Sequence, residues 1–202
     1  MDTSVYTKNY TAPPVNRKEI LRYAGAKEES LELRELIDSC LAEAMPQLSY
    51  RVCYRVLPVS LADGELDLGF ARVRSESLSR RLLGCCETVL FAATVGQGID
   101  RLIARAGAAS PARAAIFQAI GAERVESLSD LFESEVTTLT SRGEYETRPR
   151  FSPGYGDLPL SLQREVFAAL DCPRRIGVSL NSSLLMSPSK SVTAIIGIYR
   201  TR

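Results

Sequence analysis

The sequence contains no histidine. This absence excludes Ser-His-Asp and Cys-His catalysis, and it excludes every metal site that needs an imidazole ligand. Five cysteines are present, but no two of them form a Cys-x-x-Cys pair. An odd number of cysteines in a chain without a recognisable secretory signal indicates reduced thiols. We therefore expect free thiols, and we interpret the adjacent Cys85 and Cys86 as buried, structural residues at a helix end rather than as a redox pair.

Long apolar runs and an excess of one charge are also missing. No apolar stretch approaches the roughly 20 residues of a membrane-spanning helix, and residues 1–19 contain no signal-peptide core. The 25 basic and 24 acidic residues give a formal net charge of +1, without a basic block. This balance gives little support to nucleic-acid binding. We expect a cytoplasmic protein that binds neither a membrane nor a nucleic acid.

The sequence has enough apolar residues for a sizeable core, since 45% of its 202 residues are hydrophobic. Residues 1–16 are polar and include Pro13-Pro14, which predicts an N-terminal arm. We assign residues 17–202 to a single domain.

Periodicity, caps and turn residues predict a mixture of helices and strands. The most extended helical pattern begins at Ser110-Pro111 and continues to about Thr140. Its apolar stripe consists of Ile116, Ile120, Leu128, Leu131, Phe132, Val136 and Leu139. Shorter helices are expected at 16–25, 30–45, 75–84, 99–107 and 160–170. Strands are expected at 48–61, 65–73, 87–96, 176–180, 183–186 and 191–199.

The segment FAATVGQGID combines a strand, Gly-x-Gly and a helix, as in a dinucleotide-binding turn. Arg101 stands where the third glycine of that motif belongs, and no opening strand precedes it near the N-terminus. We favour a plain strand-to-helix turn. A small-molecule enzyme that binds a nucleotide at this turn is a weaker alternative.

Residues 148–159, RPRFSPGYGDLP, contain three prolines and two glycines. Proline fixes φ and glycine tolerates positive φ, so the segment is expected to be neither a helix nor a central strand. We predict a stiff, shaped loop that carries Arg150 and Tyr155, and loops of this kind often hold ligands.

Three motifs in and after this loop match those of a known family. They are Arg-x-x-x-Gly-Tyr, then Gly-x-x-Leu-x-x-Ser, then the start of a Ser-Val strand. The matching residues are Arg150, Gly154 and Tyr155, then Gly177, Leu180 and Ser183, then Ser191 and Val192. On these motifs the chain resembles the activation domain of cobalamin-dependent methionine synthase, clearly over residues 145–198. The whole chain resembles the short, stand-alone relatives of that domain.

The resemblance implies an α+β fold with a twisted antiparallel sheet flanked by helices, and the absence of strict βαβ alternation agrees with this class. It also implies that the chain binds S-adenosylmethionine. Arg150 would grip the ligand's carboxylate, Tyr155 would lie near its cationic groups, and main chain at Pro153, Gly154 and Gly156 would approach its adenine. Glu126, on the long helix, would face the ammonium and sulfonium groups.

Within the family this ligand remethylates cobalamin after the cofactor has been oxidised and then reduced by one electron. The resemblance therefore implies an accessory role in methionine biosynthesis, as a component of methionine synthase (methyltransferase) activity rather than a complete enzyme. The partner would be a cobalamin-loaded methionine synthase without its own activation domain. The electron would come from a donor such as flavodoxin or ferredoxin, and cobalamin would be present only through the partner.

Two alternatives stay open at this point. Arg150 could simply fix the loop to the fold through an ion pair, and Glu126, Asp130 and Glu133 could form a solvated acidic face of one helix. In that case the chain would be a non-catalytic protein that caps a corrinoid protein, with a decayed ligand site. Calorimetry with S-adenosylmethionine would distinguish the two functions.

Overall fold

The structure, a computed structural model, describes residues 4–201. The strands are β1 Tyr6–Tyr10, β2 Tyr50–Pro58, β3 Ser60–Ala62, β4 Glu65–Asp67, β5 Arg72–Val73, β6 Cys85–Thr94, β7 Tyr145–Phe151, β8 Ser179–Leu180, β9 Met186–Ser187 and β10 Ser191–Arg200. The helices are α1 Arg17–Tyr23, α2 Leu31–Ala44, α3 Glu76–Arg81, α4 Gly98–Ala109, α5 Pro111–Thr140, α6 Gln163–Leu170 and α7 Cys172–Ile176, with short 3-10 helices at Met45–Gln47 and Leu160–Leu162.

The centre of the fold is a five-stranded sheet in the order β1-β2-β6-β10-β7. Every neighbouring pair in this sheet is antiparallel. Small antiparallel ladders join β4 to β3 and to β5, and β8 to β9. The class is therefore α+β with an antiparallel sheet flanked by helices, as predicted.

Two hydrophobic cores lie on opposite faces of the sheet. Phe91 of β6 packs in the core that contains residues of α1, α2, α4 and α5. The preceding residue, Leu90, belongs to the core that α3, α6 and α7 cover. Successive residues of a strand point to opposite faces, so a strand covered on both sides needs an uninterrupted apolar run. This explains the apolar segment at residues 89–93.

α5 follows the sequence prediction closely in its boundaries. The Ser110 hydroxyl accepts a hydrogen bond from the Arg113 N–H, and Pro111 occupies the first turn, where its missing N–H costs no hydrogen bond. The predicted apolar stripe is wrong at two positions, because Leu131 is 37% and Leu139 is 55% exposed. Both lie in the half of the helix that leads towards the edge of the sheet.

The N-terminal segment is more ordered than an arm. Tyr6–Tyr10 form the edge strand β1 and pair with β2. The buried Arg124 guanidinium donates to the carbonyl oxygens of Pro13 and Pro14, and its charge is matched by the adjacent buried Glu123. Residues 6–16 are thus attached to the sheet and to α5. The boundary at residue 16 stays a prediction, and residues 1–3 lie outside the described part of the chain.

The cysteines do not all have the surroundings that we expected. All five lie within the described residues and are free thiols, and Cys40, Cys53 and Cys172 are buried. Cys85 and Cys86 begin β6 rather than ending a helix, and Cys86 is exposed. The prediction of burial is therefore wrong for Cys86, and Cys85 is only partly buried. α3 ends at Arg81, four residues before the strand, because the chain turns out of the helix before Gly84.

Between residues 4 and 201, none of the helices combines the length and the apolar composition that crossing a bilayer requires. The same residues include no group of three or more cysteine, aspartate or glutamate side chains arranged to hold a metal ion.

Candidate functional site

A cavity of about 780 Å³ lies where the edge strand β7 ends. β7 pairs with β10 as far as the Phe151–Ile195 position, whereas Ser191–Ala194 of β10 pair only with β6 on the other side. The free edge of β10 therefore forms the floor of the cavity, at Ser191, Val192 and Thr193. The loop after β7 and the loop before β10 supply its walls.

The loop after β7 has a fixed shape. Gly154 N–H donates to the Leu158 carbonyl oxygen at 2.9 Å, and Leu158 N–H donates to that of Tyr155 at 3.0 Å. Gly156 has φ +55°, and a Cβ at this position would lie 2.8 Å from the Ser77 hydroxyl oxygen. A side chain at residue 156 would therefore be strained and would collide with the start of α3.

The Asp157 carboxylate joins this loop to α3. It accepts hydrogen bonds from the Ser75 hydroxyl at 2.7 Å, from Glu76 N–H at 2.6 Å and from Ser77 N–H at 3.1 Å. The Ser75 hydrogen bond is the largest cause of a pKa for Asp157 well below the ordinary aspartate value. Asp157 thus provides the acceptor that the first N–H groups of a helix need.

We expect Asp157→Ala to lower the melting temperature at pH 7, because these three donors lose their acceptor. The folded-state pKa of Asp157 is depressed, so its contribution to stability is complete above the unfolded-state pKa of about 3.9 and is lost as the pH falls. The difference in Tm between wild type and Asp157→Ala should therefore shrink below about pH 4. Thermal denaturation followed by circular dichroism would measure it, with Glu35→Ala on the exposed side of α2 as the control. A Tm difference that does not depend on pH would contradict this assignment.

Three carboxylates of α5 surround the Arg150 guanidinium. It contacts Glu126 at 2.9 Å, Asp130 at 2.7 Å and Glu133, whose other carboxylate oxygen accepts from Arg150 N–H at 2.8 Å. Residues four and three apart lie on one side of a helix, and these contacts show the three carboxylates on the side of α5 that faces Arg150. The Glu133 hydrogen bond to backbone N–H also occupies the outer edge of β7, which would otherwise have a free donor.

This cluster has more negative than positive charge. Burial lowers the pKa of Arg150, but hydrogen bonds from its guanidinium to Asp130, Glu133 and Glu126 outweigh burial and raise it above the ordinary arginine value. Arg150 therefore stays charged, and it neutralises only part of the three carboxylates. Glu126 is 41% exposed and, like Arg150, lines the cavity. The α5 side of the cavity consequently favours a cationic group.

Of the six residues predicted to contact a ligand, four lie in the cavity wall. These are Glu126, Arg150, Pro153 and Tyr155. Gly154 and Gly156 are not among the described lining residues, and they set the path of the loop instead. Contact of any of the six with a ligand stays a prediction.

Two buried polar residues of the cavity were not predicted from the sequence. Gln163 is 4% exposed and Thr193 is 2% exposed, and both side chains line the cavity. A signal for Gln163 existed, because it lies three residues before Val166 and seven before Leu170, on the buried face of α6. A polar side chain on an apolar helix face calls for a hydrogen-bond partner.

A second cavity, of about 570 Å³, adjoins the first and shares Arg81 and Phe151 with it. Arg80 and Arg148 also line this arginine groove. The Arg148 guanidinium lies 4.2 Å from the centre of the Tyr199 ring, and that of Arg81 lies 5.8 Å from the Phe151 ring. The surface that adjoins the cavity at Arg81 and Phe151 is therefore basic.

The Gly-x-Gly turn has a structural explanation. Gly98 begins α4, and a Cβ at this position would lie 2.0 Å from the Gln47 carbonyl oxygen. Glycine is thus required for close contact between α4 and the 3-10 helix after α2. The geometry favours the plain strand-to-helix turn over a nucleotide site.

No family model matches the chain, and no curated protein matches it in sequence. Among solved structures, it is similar to the crystal structure of the MetH reactivation domain bound to AdoHcy, with a TM-score of 0.72. The chain has the fold of that reactivation domain. The superposition covers 96% of this chain and 78% of the other, at 13% sequence identity. At this identity the similarity shows the fold alone, and the chemistry of the site depends on the residues of this chain.

Proposed function

We propose that the chain binds S-adenosylmethionine in the cavity at the end of β7 and presents it to a cobalamin-loaded partner for reductive methylation. The observation that carries this proposal is the union of an acidic cluster with an arginine and an apolar wall in one cavity of about 780 Å³. The reactivation-domain fold, found in a protein bound to AdoHcy, supports the same ligand class. This role corresponds to the stand-alone form of the methionine synthase activation domain.

The charged end of the cavity suits the methionine part of the ligand. Arg150 can form two parallel hydrogen bonds with a carboxylate, while Glu126 faces the ammonium and sulfonium groups. S-adenosylmethionine has a net positive charge because of its sulfonium, and the α5 side of the cavity is negative. S-adenosylhomocysteine lacks that positive charge, so this side of the cavity should distinguish the two ligands.

The remaining wall suits a flat nucleoside. Phe151 ends β7, and Pro153 and Leu160 follow it in the chain. Leu185 and Met186 come from the segment before β10. Apolar walls with a few polar groups are typical of sites for small molecules. The adenosine part would lie between these two loops.

In this proposal the partner brings the cobalamin, and the sequence itself has no histidine that could ligate cobalt. We propose that the partner is a methionine synthase or corrinoid protein without its own activation domain, and that a donor such as flavodoxin or ferredoxin supplies the electron. The partner would dock around the cavity mouth, at Phe151, Tyr155 and residues 182–191. Tyr155 is 67% and Leu185 is 63% exposed, so they offer apolar contacts on this face. The adjacent arginine groove offers basic ones.

Titration calorimetry tests the ligand. We expect wild type to bind S-adenosylmethionine more tightly than S-adenosylhomocysteine, and Glu126→Gln to lower that preference about two- to fivefold, the usual size for a partly exposed charge pair. Glu165→Gln, on the exposed side of α6, is the control and should leave the preference unchanged. The proposal is wrong if wild type produces no heat with millimolar S-adenosylmethionine.

A capping role is the second candidate, and the pairing of Arg150 favours it. Three carboxylates of the same chain already satisfy this guanidinium, as expected of a residue that only fixes the loop. In that case the chain would still bind a corrinoid protein but not S-adenosylmethionine. Complex formation without ligand binding would support this role.

A further inference from the structure

Gln163 and Thr193 form a buried polar pair in the cavity. The Thr193 hydroxyl donates to the Gln163 side-chain oxygen Oε1 at 2.9 Å. In this arrangement the Gln163 oxygen, and not its nitrogen, faces the Thr193 hydroxyl. The Gln163 NH₂ group is therefore the end that is left for another partner.

That NH₂ group has no acceptor in the described part of the protein. Thr193 provides the one hydrogen bond that Gln163 makes there through its side chain, while the residue is only 4% exposed and lines the cavity. Among the described residues, the enclosed side-chain nitrogens without a partner are Arg51 Nε and Arg55 Nε, so the Gln163 NH₂ group is open to the cavity rather than sealed off. It thus offers one donor, with no acceptor from the protein, to a ligand in the cavity.

Gln163 and the acidic cluster lie on different sides of the sheet edge. Thr193 lies two residues before Ile195 in β10, so its side chain points to the same face of the sheet, towards the core under α6. Glu126 and Arg150 belong to the α5 side. The cavity passes between the two sides where β7 stops. A ligand whose charged end lies at Glu126 and Arg150 would consequently place its other half near Gln163.

We infer that Gln163 is a second ligand-binding residue, which donates its amide NH₂ to an acceptor on the nucleoside half of the ligand. Thr193 acts as the positioning residue. This inference rests on the proposed function, because that function supplies a ligand with a nucleoside half. Adenine ring nitrogens and ribose oxygens are both acceptors of suitable strength, and a glutamine amide recognises adenine by this kind of contact in other settings.

The double variant Gln163→Leu/Thr193→Val tests the inference, because it removes both polar groups and leaves no buried hydroxyl without a partner. We expect its Tm to stay close to that of wild type. Its affinity for S-adenosylhomocysteine should fall about five- to tenfold, the size of one neutral hydrogen bond. An unchanged affinity in a folded double variant would overturn the inference.

A ligand without its amino-acid part locates the contact. 5′-Methylthioadenosine retains the nucleoside, so the double variant should lose the same factor for it as for S-adenosylhomocysteine. A loss confined to S-adenosylhomocysteine would overturn the assignment to the nucleoside half. The 7-deaza and 2′-deoxy forms of 5′-methylthioadenosine then distinguish a base acceptor from a ribose acceptor. If wild type binds neither ligand nor S-adenosylmethionine, the proposed function itself fails, and the inference fails with it.

Discussion

Arg150→Ala should lower the affinity for S-adenosylmethionine ten- to a hundredfold, the usual range for a hydrogen bond to a charged group. The guanidinium is held at the cavity wall by three α5 carboxylates, so it is positioned before the ligand arrives. Preorganisation of this kind reduces the entropy lost on binding. Its removal leaves the carboxylate of the ligand without a partner and places it near Glu126. Calorimetry with S-adenosylmethionine would measure the loss.

The control separates a specific contact from general electrostatics. Arg148→Ala removes the same charge from the same strand, but Arg148 lies over the Tyr199 ring in the arginine groove and does not line the ligand cavity. It should change the affinity by less than about twofold. 5′-Methylthioadenosine, which has no carboxylate, should bind Arg150→Ala and wild type alike. Equal losses for the two arginine variants would contradict a carboxylate contact at Arg150.

A loss of affinity must also be separated from a loss of structure. Arg150→Ala leaves three carboxylates close together, and the side chain that it removes is only 22% exposed. Some destabilisation is therefore expected. Arg150→Lys keeps the charge near these carboxylates but cannot form two parallel hydrogen bonds. It should restore most of the Tm and only part of the affinity.

The sequence predicted the helices and the central strands well, because their signals are local. The Ser110-Pro111 cap and the apolar run at residues 89–93 each determine the structure of their own neighbourhood. α7 was missed, and it spans only Cys172–Ile176. Five residues are too few to establish a helical period, and proline, which lies in the first turn of this helix at Pro173, is also common in turns.

Long-range partners were harder to predict. Tyr6–Tyr10 form a strand because β2 offers a free edge and Arg124 binds the chain that follows, and neither fact can be derived from residues 1–16 themselves. The loop prediction for residues 148–159 needs a similar correction. Arg148–Phe151 belong to β7, which is an edge strand, and such a strand tolerates Pro149.

Four of the residues that line the cavity were predicted from the sequence, but the contacts between them were not. Helical spacing placed Glu126, Asp130 and Glu133 on one face, but nothing in that spacing indicated that Arg150 would contact all three. Asp157 was not among the predicted site residues. Its role as a cap for α3 depends on a contact across 80 residues of sequence, which local patterns do not report.

Methylation of an inactivated corrinoid partner should depend on this chain and should be largely lost with Tyr155→Ala. Cobalt(II) is a poor nucleophile, so its reduction has to be coupled to a methyl transfer that draws the unfavourable electron step forward. The proposed contribution of the chain is proximity, since it would hold the methyl donor beside the cobalt of the partner. Tyr155 lines the cavity and is 67% exposed, so it belongs to both the ligand site and the docking face.

The assay combines the chain, an inactivated corrinoid protein, a one-electron reductant and S-adenosylmethionine, and it follows methylcobalamin by absorbance. Tyr155→Phe is the matched variant, because it keeps the ring and removes the hydroxyl. If the ring provides the contact, this variant should retain most of the rate, whereas a fall as large as that of Tyr155→Ala would assign the effect to the hydroxyl. Tyr23→Ala, on the exposed side of α1 away from the cavity, should leave the rate unchanged. Methylation that proceeds equally well without the chain would rule out the activating role, and the capping role would then account better for the exposed face around Tyr155.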